Sequence, residues 1–238
     1  MLMAPIIGHR GCAGHAPENT LAGIRDAERV GCRWVEADAT LLADETVVLF
    51  HDDTLDRCTD KSGFIREIDW IEALKLDAGR WFGDGRFVGE RIPLLSDGID
   101  CCRALKLGFN IELKTHRGEG EHLGQAVAAQ LSSTENILVS SYDQNALTSF
   151  RKTQNDCPLG IIYDDLPKDW IKLADDLKAA SIHLWAKHLS KEAIDEVKAT
   201  GRDVYVFTLN DRLEAKRLWA MGVDGVFSDL PDCVMLEA

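Results

Sequence analysis

Seven residues of this chain are of the types and in the places that chemistry needs: His9, Arg10, Glu36, Asp38, His51, Glu112 and Lys114. Each stands within or just beyond an apolar run. Ile6 and Ile7 lead into Gly8-His9-Arg10-Gly11, Trp34 and Val35 into Glu36-Ala37-Asp38, and Val47 to Phe50 into His51-Asp52, while Ile111 and Leu113 interleave with Glu112 and Lys114. Residues two apart on a strand share a face, so Glu36 points with Asp38 and Glu112 with Lys114. Carboxylates gathered in one place repel unless a cation sits among them, and oxygen-only ligands favour Mg²⁺ or Ca²⁺ over zinc. Arg10 and Lys114 beside a divalent ion make a seat for a phosphate. His9 and His51 supply an acid and a base near neutral pH. Together these groups describe cleavage of a phosphoester. A buried ion pair with no chemistry is the plain alternative for Glu112 and Lys114. The remaining histidines, His15, His116, His122, His183 and His188, read as surface or structural, with His116 close to the site through Lys114.

Strands must hold these residues at one end of a sheet. Apolar runs near residues 6, 35, 111, 138, 160, 183, 206 and 226 read as eight strands. Helices are expected between them: from an Asn19 or Thr20 cap to Gly31, from a Ser96 cap to Leu105 and Gly108, and over 121–131, 144–152, 167–179, 190–199 and 212–221. A short helix follows Pro231. Eight βα units in 238 residues fit an α/β fold, a (β/α)8 TIM barrel, whose ligands collect at the C-terminal ends of the strands. A doubly wound open sheet competes, and would leave its first and last strands unpaired with each other. The run 47–50 after Ala43-Asp44-Glu45 reads as a hairpin-like extension of the second strand. Residues 52–95 hold Gly63, Gly79, Gly83, Gly85, Gly89 and Pro93 with interspersed Trp70, Trp81, Phe82 and Phe87, and read as a small insertion after that strand with a short helix over 70–76. One domain over 1–238 is the economical reading.

Composition bounds the rest. The net charge of −13 argues against nucleic acid but not against an anionic substrate, because a metal and a few basic side chains can make one pocket positive. No run approaches the roughly 18 apolar residues of a spanning helix, and no amphipathic basic segment supports stable membrane association. Met1 to Ile7 lacks a basic leader and a cleavage site and reads as strand. Seven scattered cysteines without a CxxC pair suit free thiols in the cytoplasm. A homo-oligomer is compatible with the outer helices but not specified by them.

With these residues in place, the chain resembles the glycerophosphodiester phosphodiesterases of the short bacterial cytosolic type. Gly8-His9-Arg10-Gly11, Pro17-Glu18-Asn19-Thr20, Glu36-Ala37-Asp38, His51-Asp52, Arg91-Ile92-Pro93-Leu94-Leu95, Ile111-Glu112-Leu113-Lys114, Val206-Phe207-Thr208-Leu209-Asn210 and the run Gly222 to Pro231 stand in that family's order. The resemblance implies the barrel and hydrolysis of a glycerophosphodiester to glycerol 3-phosphate and an alcohol. It implies one divalent ion, Mg²⁺ or Ca²⁺, at Glu36, Asp38 and Glu112, an acid/base pair in His9 and His51, and phosphate on Arg10 and Lys114. Glu18 and Asn19 are expected to brace the first loop, Asn19 also capping the helix. Phe207 stands where the family usually carries Trp, which touches the pocket for the substrate's organic group. A lysophospholipase D-like hydrolase of lipid phosphodiesters is the alternative.

Overall fold

The computed structural model describes residues 2–83 and 85–235. Positions 1, 84 and 236–238 of the expected span 1–238, the second of them also within 52–95, lie outside the described residues.

Eight parallel strands close on themselves. In chain order they are β1 (Ile6–Gly8), β2 (Trp34–Leu41), β4 (Gly108–Leu113), β5 (Ile137–Ser141), β6 (Leu159–Tyr163), β7 (Ser181–Trp185), β8 (Asp203–Phe207) and β9 (Gly225–Ser228). The ninth, β3 (Val47–Leu49), lies antiparallel on β2 as a hairpin, with Thr40 opposite Val48. β1 settles the topology by pairing on both sides, Ile7 beside Trp34 of β2 and beside Phe227 of β9. The open-sheet alternative is thereby excluded: the first and last strands are neighbours.

Alternation along the strands divides two cores. Val35, Ala37 and Ala39 of β2 and Phe109, Ile111 and Leu113 of β4 face outward into the large apolar layer under the helices. Their even-numbered neighbours face the barrel axis. There Met3, Ile7, Leu138, Tyr205 and Phe227 fill the lower end of the barrel, so the interior is packed rather than open. The register sets Asp38 beside Glu112 and Glu36 beside Asn110. Parallel strands run ~4.8 Å apart, so this pairing alone brings the carboxylates together.

The helices α1 (Leu21–Arg29), α3 (Leu95–Leu105), α4 (Gly120–Gln130), α5 (Gln144–Thr153), α6 (Trp170–Asp176), α7 (Lys191–Ala199) and α8 (Arg212–Ala220) link the barrel strands, with short α2 (Trp70–Ala73) before α3 and α9 (Pro231–Val234) at the end. Several boundaries differ from the sequence reading. Thr20, not Asn19, caps α1, its Oγ1 accepting from Gly23 N at 3.1 Å. The third helix begins at Leu95, ahead of Ser96, and ends on Lys106 in the left-handed region rather than on Gly108, which opens β4. The expected helix over 167–179 shortens to α6.

The segment between β3 and α3 carries an apolar cluster of its own, with Leu55, Cys58, Ile65, Leu76 and Ile92 packed on Leu42, Val48 and Phe50. Its anchoring to the hairpin places the segment beside the barrel mouth.

Candidate active site

A cavity of about 120 Å³ opens at the C-terminal ends of the strands, lined by His9, Arg10, Glu36, Asp38, His51, Glu112 and Lys114. Asn110, Tyr142, Ile162, His183, Phe207, Thr208 and Phe227 complete the wall. All seven residues singled out from their types and spacing thus meet in one place.

The carboxylates form its base. One oxygen from each of Glu36, Asp38 and Glu112 lies within 4.8 Å of the others. Burial, with repulsion from Asp38 and then Glu112, pushes the Glu36 carboxyl well above its ordinary range. Glu112 is raised by the same two causes, burial first and Asp38 next. Asp38 moves the other way, to about 2: burial opposes ionisation, but Arg10, His51 and Lys114 outweigh it. Glu36 accepts Arg10 N–H on Oε2 at 2.8 Å, while its Oε1 is buried without a partner. A buried carboxylate oxygen without a partner, in a trio of carboxylates this close, is what a hard cation relieves, so the donor set fits Mg²⁺ or Ca²⁺.

Two cations flank the trio. Lys114 Nζ donates to Glu112 Oε1 at 3.1 Å, and Arg10 Nε lies 3.4 Å from Asp38 Oδ2. Arg10 sits at φ 50° and Gly11 at φ 87°, left-handed backbone that turns the Arg10 N–H onto Glu36. A Cβ on Gly11 would come within 2.6 Å of the Gly23 carbonyl carbon, so the loop can lie this close to α1 only with glycine there.

Each imidazole is held by a carboxylate. His9 Nδ1 meets Asp229 Oδ1 at 2.6 Å, and His51 Nδ1 meets Asp52 Oδ1 at 2.6 Å. A carboxylate only accepts, so the proton sits on Nδ1 in both rings and Nε2 is left for the cavity. The Asp229 carboxylate stays below its ordinary range: burial works against ionisation, and the His9 bond more than offsets it. His51 is pushed below the ordinary imidazole value by burial, against the pull of Asp38.

Glu18 and Asn19 reach the site from the first loop. Glu18 Oε1 accepts from Arg10 Nη1 at 2.7 Å. Asn19, at φ 56°, gives Nδ2–H to Asp38 Oδ2 at 2.8 Å and takes the Asp38 N–H on Oδ1 at 2.9 Å. Its side chain is therefore spent on a carboxylate of the trio, which is why capping falls to Thr20. Phe207 packs edge-on against Tyr142 with ring centroids 6.1 Å apart.

The model of the glycerophosphoryl diester phosphodiesterase family matches residues 9–233. The chain belongs to that family. A glycerophosphodiester phosphodiesterase of Caldanaerobacter subterraneus subsp. tengcongensis is 30% identical, over 97% of this chain and 96% of its own. A phosphodiesterase of Oleispira antarctica, solved with its product sn-glycerol-3-phosphate, is 34% identical with a TM-score of 0.92, covering 98% of this chain and 95% of that one. A glycerophosphodiester phosphodiesterase of Agrobacterium tumefaciens aligns at 26% identity and TM-score 0.82, covering 98% and 99%. The glycerophosphodiester phosphodiesterases are hydrolases, and this member is an enzyme of that class. Among the described residues no helix is long and apolar enough to cross a membrane.

Several residues of the site went unassigned in the sequence, Asp52 among them. Asp229 lies within a quoted motif and beside Ser228, which pairs with Gly8 across the barrel closure, so the eight-strand count could have found it. Tyr142 follows β5 on the inward parity. His183, read as surface or structural, is fully buried in the cavity wall with Nε2 3.0 Å from Ser181 Oγ. Arg57 stands in irregular chain and left no signal. His116 is half-buried beside the rim, its N–H on Glu119 Oε1 at 2.9 Å.

Proposed function

We propose that the chain hydrolyses a glycerophosphodiester, a small water-soluble molecule, to glycerol 3-phosphate and an alcohol. The reading rests on one observation: three mutually close carboxylates stand between two cations and two carboxylate-oriented imidazoles. Glu36, Asp38 and Glu112 hold one divalent ion, Mg²⁺ or Ca²⁺. When bound, such an ion draws charge from the phosphoryl oxygens as a Lewis acid.

The chain's own groups do the rest. Arg10 and Lys114 take the non-bridging oxygens and oppose the charge that grows on them as the bond breaks. One of His9 and His51 accepts the proton of the attacking hydroxyl, from water or from the glycerol 2-hydroxyl to give a cyclic phosphate that water then opens, and the other gives a proton to the departing alkoxide. Asp229 and Asp52 keep each ring in the tautomer this exchange needs. Glu18 and Asn19 brace the first loop through Arg10 and Asp38, and Phe207 faces the substrate's organic group. The product complex of the Oleispira relative and the names of the family's members favour a glycerophosphodiester over a lysolipid. One barrel domain over 1–238, with 52–95 as its insertion, carries the whole reaction. Free thiols at all seven cysteines suit the reducing cytoplasm.

The test is release of glycerol 3-phosphate from glycerophosphocholine by EDTA-treated protein, with Mg²⁺, Ca²⁺ or no ion restored. Release with one or both ions is expected. No release with either, alongside turnover of a lysolipid, would overturn the substrate assignment.

A further inference from the structure

The two halves of the site are tied together outside the cavity by a single guanidinium. Arg57 Nε donates to Asp52 Oδ2 at 2.7 Å and Nη2 to Asp52 Oδ1 at 2.8 Å. On its other edge Nη1 donates to Glu18 Oε2 at 2.5 Å and Nη2 to Glu18 Oε1 at 2.8 Å. Both carboxylates pass the constraint inward: Asp52 holds the His51 ring, and Glu18 holds the Arg10 guanidinium. An unbroken chain of ionic hydrogen bonds therefore runs from an imidazole, through Arg57, to a phosphate-side cation.

We infer that Arg57 is a positioning residue that sets His51 and Arg10 together. This rests on the phosphodiesterase reading of the site. Three features carry it. The guanidinium is used on both edges, a planar two-sided fork that lysine cannot reproduce. Its two carboxylates would repel at this separation without it, and each would swing its own partner away. Its backbone is fixed on either side, Leu55 and Cys58 being buried in the small core beside the hairpin and Leu55 N bonding Gly63 O at 2.8 Å. Arg57 thereby contributes to the reacting groups without lining the cavity.

An ordinary surface ion pair is the competing account. The Arg57 side chain is 45% exposed. Exposed pairs of that kind add little to stability, and a pair with only that role would leave turnover unchanged. The two accounts separate on readouts that stability does not move.

The experiment compares wild type, Arg57→Ala and Arg57→Lys. With glycerophosphocholine and the working ion, Arg57→Ala should lower kcat by about 10- to 100-fold, the scale of losing an orienting partner. Its affinity for glycerol 3-phosphate, by calorimetry, should fall about tenfold through the Arg10 arm. Millimolar guanidinium should restore part of the kcat of Arg57→Ala, and Arg57→Lys should recover less than half of the loss. Nitrogen-15 spectra of the His51 ring should show Nδ1–H alone in wild type and a tautomer mixture in Arg57→Ala. Unchanged kcat, product affinity and tautomer in folded Arg57→Ala would overturn the proposal. Should wild type itself not cleave the diester, the function reading fails instead, and the ring spectra still decide whether Arg57 fixes His51.

Discussion

Removing the Asn19 side chain should be among the costliest single changes near the site, although Asn19 is buried and does not line the cavity of the carboxylate trio. Its amide donates to an ionised carboxylate and accepts the Asp38 N–H, both buried. Losing a hydrogen bond to a charged group costs about 1.5–3 kcal/mol, and leaving a buried N–H without a partner costs about 1–3. The backbone at φ 56° adds about 1 kcal/mol when alanine replaces asparagine, because a Cβ without a local hydrogen bond disfavours that region. Asn19→Ala should therefore lose about 4 kcal/mol, a large share of a typical domain's 5–15. Asn19→Gly removes the same bonds without the backbone cost and should lose about 3. Urea unfolding of EDTA-treated protein gives both values, and working without metal keeps ion binding from adding to the result. A loss below ~1 kcal/mol in Asn19→Ala would refute the reasoning about the Asp38 amide. Equal losses in the two variants would refute the reasoning about the backbone.

Asp229→Asn keeps the size of the side chain but lets its amide donate to His9, selecting the wrong tautomer; kcat should fall by ~10²–10⁴ with thermal stability nearly kept, and a rate within threefold of wild type would remove Asp229 from the mechanism. Mg²⁺ or Ca²⁺ at about 100 times its dissociation constant should stabilise the wild type by about 2.7 kcal/mol, and Glu112→Gln should abolish most of that gain; an equal gain in both would place the ion elsewhere. Burial holds His183 at about 3, below the ordinary 6.5. The unfolded chain takes up that proton first as pH drops, so this contribution is complete above 6.5 and fades by ~1.4 kcal/mol per unit as pH falls toward 3. Stability measured from pH 7 to 4.5 should be flatter in His183→Gln than in wild type, and parallel curves would contradict the assignment.

What could be read from the chain was what alternation and strand ends encode. Glu36 with Asp38, and Glu112 with Lys114, declare a shared face by spacing alone, and parallel pairing then makes Asp38 and Glu112 neighbours. Residues that act across the closure or from irregular chain left weaker marks. Asp229 sits 220 residues from His9 and meets it only because β9 returns to β1. Arg57 depends on where a small second core anchors its backbone, which no periodicity reports. Asn19 shows competition between two valid local rules. Asparagine is a good helix cap, but its side chain can serve only one master geometry, and the buried carboxylate claims it while Thr20 takes the helix.

The charge balance of the cavity explains how so acidic a protein can hold a phosphate diester. Glu36, Asp38 and Glu112 stand against Arg10 and Lys114 in the lining, which leaves one negative charge in excess when the three imidazoles there are neutral. Burial and mutual repulsion push Glu36 and Glu112 upward, so without a cation the trio lowers its energy by taking up a proton. A proton only neutralises the excess, whereas a divalent ion on the same oxygens reverses its sign and makes the pocket attractive to an anion. In the proposed metal site, proton and metal would compete for one set of oxygens, and metal affinity should weaken as pH falls through the titration of Glu36 and Glu112. The paired cations follow the same logic: Arg10 and Lys114 are already engaged by Asp38 and Glu112, and are freed toward a phosphate to the extent that those carboxylates turn to the ion.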